Sequence, residues 1–181
     1  MTIAEDWVAD AVETLRVPRR MRLRLTRNGL TVVPVTQAHV TTQMRIFSQV
    51  DARLPGWMPI GEFKVVPARE GYTPEPDVSA LPEGQWDSGS SEFDEGLLPF
   101  VVEVVSPESK NRDYSTKPDH YAARGIPAYL IVDVLSARWT LLTRPRQGQY
   151  QHEESGVFGD EIEVPVADQT LTLDSSQFVR I

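Results

Sequence analysis

Two acidic residues stand where an acid needs a reason. Glu103 lies in the middle of Pro99-Phe100-Val101-Val102-Glu103-Val104-Val105-Ser106, a run that is otherwise apolar and β-branched. Such a run reads as a strand buried on both faces, where an ionised carboxylate loses much of its hydration unless a cation answers it. Asp77 follows a proline in Pro74-Glu75-Pro76-Asp77-Val78, and the prolines favour extended backbone that holds its carboxylate in place. On adjacent strands the two carboxylates could share one Mg²⁺ (or Mn²⁺), with backbone carbonyls and water in the remaining positions. A cation there would lower the pKa of a bound water and stabilise charge on a phosphate oxygen. The plainer alternative is a Glu103 salt bridge to a buried Arg or Lys, with Asp77 a turn residue.

A second group follows the buried strand. Asp113, Lys117 and Tyr121 recur every four residues, and Gly125 ends the run at the same interval. On a helix this spacing lines up a carboxylate, an ammonium and a phenol on one face. Pro118 fits the first turn of a helix over 117–124, which puts Asp113 in the preceding loop. Read alone, Lys117 is more simply an exposed partner of Asp113, worth a few tenths of a kcal/mol.

These residues need a scaffold, and the chain spells out an α/β one. Residues 4–16 have helical periodicity, and 21–35 read as a β-hairpin with Asn28-Gly29 at its turn. Val40, Met44, Phe47, Val50 and Leu54 trace one apolar face of a helix over 37–54, stopped by Pro55-Gly56. Strands are predicted near 58–66, 76–80, 98–105, 127–133 and 137–143, forming a mixed central sheet with the first helix on one face and the helix near 117–124 on the other. The Gly/Ser/acid-rich stretch 84–96 reads as a flexible surface loop. Beyond Pro145 the chain reads as edge strands or hairpins.

The 181 residues fit a single domain, 1–181, with a core of about 36–144 between an N-terminal helix and hairpin (4–35) and a β-rich extension (145–181). No apolar run approaches the roughly 20 residues of a membrane span. The acidic N-terminus lacks the pattern of a secretory signal, so a cytoplasmic protein without a membrane partner is expected. The absence of cysteine excludes thiolate chemistry, and three His make a His-rich zinc site a poor reading. A net charge of −8 sits awkwardly with nucleic-acid binding, although residues 16–27 hold six Arg and Lys110, Arg112, Lys117 and Arg124 flank the candidate site.

Taken in order, Pro76-Asp77-Val78, Pro99 through Pro107, then Asp113, Lys117, Tyr121, Gly125-Ile126-Pro127 and Tyr129-Leu130-Ile131-Val132-Asp133 resemble the successive motifs of the Uma2 (DUF820) family of the PD-(D/E)XK nuclease superfamily. The resemblance implies a restriction-endonuclease-like fold with extra β-hairpins at both ends, and a metal-dependent endonuclease acting on nucleic acid, with DNA the expected partner. It makes Asp77 the signature aspartate and Glu103 the second acidic ligand, both holding Mg²⁺ or Mn²⁺. The superfamily pattern places a lysine two residues after that acid, where this chain has Val105. Lys117 on the next helix would take its part. His39 resembles a His near the start of the family's first core helix, or simply caps that helix. The Arg-rich segment 21–30 lacks the acid that relatives carry there, so Glu62 is the substitute ligand candidate, against a surface strand residue. Tyr121 positions a phosphate or packs in the core, and Asp133 supports the site or starts a turn. A symmetric dimer would supply two sites for two strands. The rival readings are a binding or regulatory module on the same fold, and a metal-dependent hydrolase of small phosphorylated substrates.

Overall fold

A computed structural model describes residues 21–26, 29–34, 36–61, 64–66, 75–85 and 92–181. The chain divides into two compact units, Met1–Thr36 and Gln37–Ile181. In the first, β1 (Met21–Thr26) and β2 (Gly29–Pro34) form an antiparallel hairpin. Its closing pair is Thr26 with Gly29, so Gly29 opens β2 instead of sitting in the turn. The helix predicted over 4–16 lies outside the described residues.

The second unit is built on a four-stranded mixed sheet. Its strands are β7 (Val101–Val104), β8 (Ala128–Asp133), β9 (Arg138–Arg146) and β10 (Gln149–Val157), in the order β10-β9-β8-β7. Strands β7 and β8 run parallel, and the other neighbours are antiparallel. Every residue of β7 and β8 is buried, as expected of strands covered on both faces. Side-chain alternation then sorts them into two cores. Val102, Val104, Ala128, Leu130 and Val132 face α1 (Gln37–Arg53) and the hairpin β11–β12 (Glu161–Val166, Gln169–Asp174). Val101, Val105, Tyr129 and Ile131 face α2 (Lys117–Ala123), which contributes Tyr121. Glu103 takes the parity of the second set.

Several sequence expectations change in detail. The single strand predicted over 58–66 is two strands, β3 (Trp57–Ile60) and β4 (Lys64–Val66), paired respectively with β5 (Ser79–Pro82) and β6 (Glu92–Asp94). Between them lies Gly61, where a Cβ would sit 2.7 Å from the Asp77 carbonyl oxygen. Within 84–96, read as loop, residues 92–94 form β6 and a 3₁₀ turn follows at Glu95–Leu97, capped by Asp94 accepting from the Gly96 N–H at 2.8 Å. Pro145 does not end its strand, because β9 continues to Arg146 while its pairing with β8 stops at Thr143. One side of β9 is open there, which a residue without an N–H tolerates.

Helix α1 buries Ala38, Thr42, Ile46, Gln49 and Val50, whereas Met44 and Phe47 of the expected apolar face are exposed. The two polar members are carried inward because they bond the C-terminal segment. Gln49 accepts from the Asp174 N–H at 2.7 Å and donates to its carbonyl at 3.2 Å, and Thr42 Oγ1 accepts from the Val179 N–H at 3.0 Å.

Close approach at Gly61 carries a direct expectation. Gly61→Ala overlaps backbone that cannot rotate away, so it should destabilise the protein by about 1–3 kcal/mol despite the small gain from a less flexible unfolded chain. Urea denaturation measures it. An unchanged midpoint would mean that the contact relaxes freely.

Candidate metal-and-lysine site

Asp77 enters the site through one bridge. Val78 pairs antiparallel with Val102, each donating its N–H to the other's carbonyl at 3.2 and 2.8 Å. Continuing that register by one residue sets Asp77 opposite Glu103, the relation in which side chains share a face. The Asp77 carboxylate is pinned through one of its oxygens. Its Oδ2 accepts the Val104 N–H at 2.7 Å and lies 3.3 Å from His39 Nε2. One helical turn after His39, Gln43 Nε2 donates to the Asp77 carbonyl at 2.9 Å. The first turns of α1 therefore position this aspartate, and His39 faces it.

Glu103 is almost wholly buried, and both of its oxygens have partners. Lys117 Nζ lies 2.8 Å from Oε2, and the Tyr121 hydroxyl donates to Oε1 at 2.9 Å. The same ammonium lies 2.7 Å from Asp113 Oδ1. Lys117 is thus buried between two carboxylates instead of reaching into solvent, and Tyr121, one turn on, serves the same acid. Val105, the position where the wider superfamily pattern has its lysine, is buried in the core.

Local structure explains the reach of Lys117. Asp113 is not in a loop: residues Arg112–Thr116 form a π-helical turn, closed by the Lys117 N–H donating to the Arg112 carbonyl, that runs into α2 with Pro118 in its first turn. Ser109 Oγ donates to Asp113 Oδ2, and the Tyr129 hydroxyl donates to the Asp113 carbonyl at 3.0 Å. Wide turns of this kind recur at functional sites because they re-aim side chains. Asp133 starts the turn after β8, its Oδ1 accepting the Leu135 and Ser136 N–H groups at 2.9 and 3.1 Å. Its other oxygen accepts from the Tyr114 hydroxyl at 3.2 Å and pairs with Lys110 at 3.3 Å, tying down the segment that carries Asp113.

Electrostatics follow from this packing. Burial pushes the Glu103 carboxyl up to about 7, with Lys117 opposing the rise and Asp77 and Asp113 adding to it. Burial acts to lower the Lys117 ammonium, but Glu103 and Asp113 outweigh it and raise the group above its ordinary value, so it stays charged. Glu103 and Asp113 both lie on the one ammonium and Asp77 raises Glu103 further, so the carboxylates outnumber the cation whenever Glu103 is ionised. A divalent cation would offset that excess. Among the described residues no three His, Asp or Glu side chains are grouped to hold a metal by themselves. A metal held by Asp77 and Glu103 would complete its shell with backbone oxygen and water, as Mg²⁺ commonly does. Glu62 lies outside the described residues.

One buried cluster had no signal in the sequence. Glu95 Oε1 lies 2.7 Å from His120 Nε2 and its Oε2 3.3 Å from Arg124 Nε, so the turn before β7 is fastened to α2.

The family model described as Uma2, "Putative restriction endonuclease", matches residues 9–175. The chain belongs to the Uma2 family. A crystal structure described as a putative nuclease belonging to DUF820 from Anabaena variabilis ATCC 29413 superposes with a TM-score of 0.66 at 15% identity, covering 93% of this chain and 95% of that one. The Uma2 chain therefore shares the DUF820 nuclease fold, and family and fold together support a nuclease acting on nucleic acid. No curated protein matches. Among the described residues no helix is long and apolar enough to cross a membrane.

The raised Glu103 value gives a test in the metal-free protein. Its folded value lies above the ordinary 4.5, so the native state keeps the proton longer. Its contribution to stability is full below about pH 4.5 and is lost as pH rises through about 7. Carbon-detected NMR of the Glu103 carboxyl should show a midpoint near 7, and Lys117→Met should move it higher by removing the largest opposing influence. A wild-type midpoint in the ordinary carboxylate range would contradict the buried assignment.

Proposed function

We propose that this chain is a Mg²⁺-dependent endonuclease that hydrolyses phosphodiester bonds in DNA, with Asp77 and Glu103 holding the metal and Lys117 acting at the scissile phosphate. The observation that carries the reading is the juxtaposition of two opposed carboxylates with a buried ammonium 2.8 Å from one of them. When bound, the cation would supply an acidified water and neutralise charge on a phosphate oxygen.

The chain's own groups then have distinct tasks. Asp77, fixed by the Val104 N–H and by α1, presents a carboxylate already held in place. A metal would be held by the ionised form of Glu103, so its binding should strengthen as pH rises. Tyr121 donates to Oε1 and thereby fixes the plane of the Glu103 carboxylate. Lys117 is held protonated by two acids, which makes it a donor and point charge, not a base. It can orient the attacking water or offset charge that develops in the transition state. The overall charge of −8 works against binding a polyanion, so affinity must come from local cations and fall steeply with salt.

The test is cleavage of plasmid, single-stranded DNA and RNA by purified protein across a Mg²⁺ titration. Wild type should cut DNA. Asp77→Ala or Glu103→Ala should abolish cutting while the chain stays folded, and Lys117→Ala should slow turnover by roughly a hundredfold with metal binding largely kept. Cutting that persists in EDTA, or in both acid variants, would contradict the assignment. Mg²⁺ binding by a wild type that cuts nothing would favour a nucleic-acid-binding or regulatory module, the reading that the acidic net charge suits.

A further inference from the structure

Lys117 is one cation with two carboxylate partners, and only one of them, Glu103, belongs to the metal pair. The other, Asp113, is fully buried and has no contact with Asp77 among the described interactions. Its own placement is unusually well determined. The side chain is held by Ser109, whose hydroxyl also meets Ser106 Oγ at 3.1 Å, and the carbonyl is held by Tyr129 from β8. The π-helical turn brings this braced carboxylate one turn below Lys117.

From this we infer that Asp113 is a positioning residue for Lys117: it keeps the ammonium beside the site when Glu103 turns its charge to a metal. This deepens the nuclease reading and rests on it for the role of Lys117, although the placement itself can be tested without activity. With Asp113 present, a cation binding at Glu103 weakens one of the lysine's two ion pairs and leaves the other. Without it, Lys117 has Glu103 as its sole acid and would compete with a metal for the Glu103 carboxylate. Asp113 touches no substrate in this account and acts through the lysine alone. A buried acid that merely stabilised the fold would not distinguish metal-bound from metal-free protein.

A double-mutant cycle reads the dependence. In single-turnover cleavage at saturating Mg²⁺ and DNA, Asp113→Asn should lower the rate by about tenfold or more in the wild-type background, with KM for DNA changed less than about twofold. In the Lys117→Met background the same change should alter the rate by less than about twofold. Equal losses in both backgrounds would overturn the inference, because Asp113 would then act independently of the lysine. The second readout is the ¹⁵Nζ ammonium resonance of Lys117. In wild type it should remain slowly exchanging when Mg²⁺ is added, and in Asp113→Asn it should broaden or vanish on the same addition. Retention in the variant overturns the inference, whether or not the protein cuts DNA. If Asp113→Asn does not fold, Ser109→Ala, which loosens the brace without removing charge, should show the same Mg²⁺-dependent broadening to a smaller degree, and no broadening would count against it. Absence of cleavage by wild type with the resonance behaving as expected would fail the nuclease reading alone.

Discussion

The site depends on one buried ammonium. Lys117 lies within 2.8 Å of Glu103 and 2.7 Å of Asp113, and these two acids offset the cost of holding a cation so far out of water. The same contacts make each acid tolerable in turn. Were either acid removed, the remaining pair would share a site built for three charges, so these residues are expected to respond to substitution as a unit and not additively. Much of the surrounding structure serves to keep the three in register. The π-helical turn sets the spacing, Tyr129 and Ser109 hold Asp113, Tyr121 holds Glu103, and Asp133 secures the segment from its far end.

Asp77 is brought to this cluster by different means. It comes from a segment whose neighbour Val78 makes a single bridge to β7, so the sheet alone fixes it weakly. Helix α1 makes up the difference through His39 and Gln43, and Gly61 leaves the space in which its carbonyl sits. The fold thus assembles its acidic pair from one rigid strand and one clamped segment.

Some of this was legible in the residues themselves. A glutamate inside a valine run contradicts its surroundings, and that conflict identified Glu103 as a buried charge in need of a partner. The four-residue spacing of Asp113, Lys117 and Tyr121 survived the appearance of a π-helical turn, because the turn holds Asp113 and ends at Lys117, leaving the two as neighbours. Two plain readings, a Glu103 salt bridge and an Asp113–Lys117 pair, turned out to describe one object, since a single buried lysine makes both. Helix α1 was legible in extent but not in its buried face. Apolar spacing pointed to Met44 and Phe47, whereas Thr42 and Gln49 go inside through hydrogen bonds to a C-terminal segment whose proximity no local pattern encodes. Gly61 likewise breaks a plausible strand for a tertiary reason, and Glu95 found its partners His120 and Arg124 across a gap that carries no periodicity.

The central claim is that the opposed carboxylates of Asp77 and Glu103 form one divalent-metal site. It is tested most directly by crystals of the protein soaked in Mn²⁺ and measured for anomalous scattering. A peak is expected between the two carboxylates, with ligand distances of about 2.1–2.2 Å, Lys117 still beside Glu103, and loss of the peak in Asp77→Ala. A clear Mn²⁺ peak elsewhere, or none at this position at saturating metal, would contradict it and leave Glu103 as the structural partner of a buried lysine.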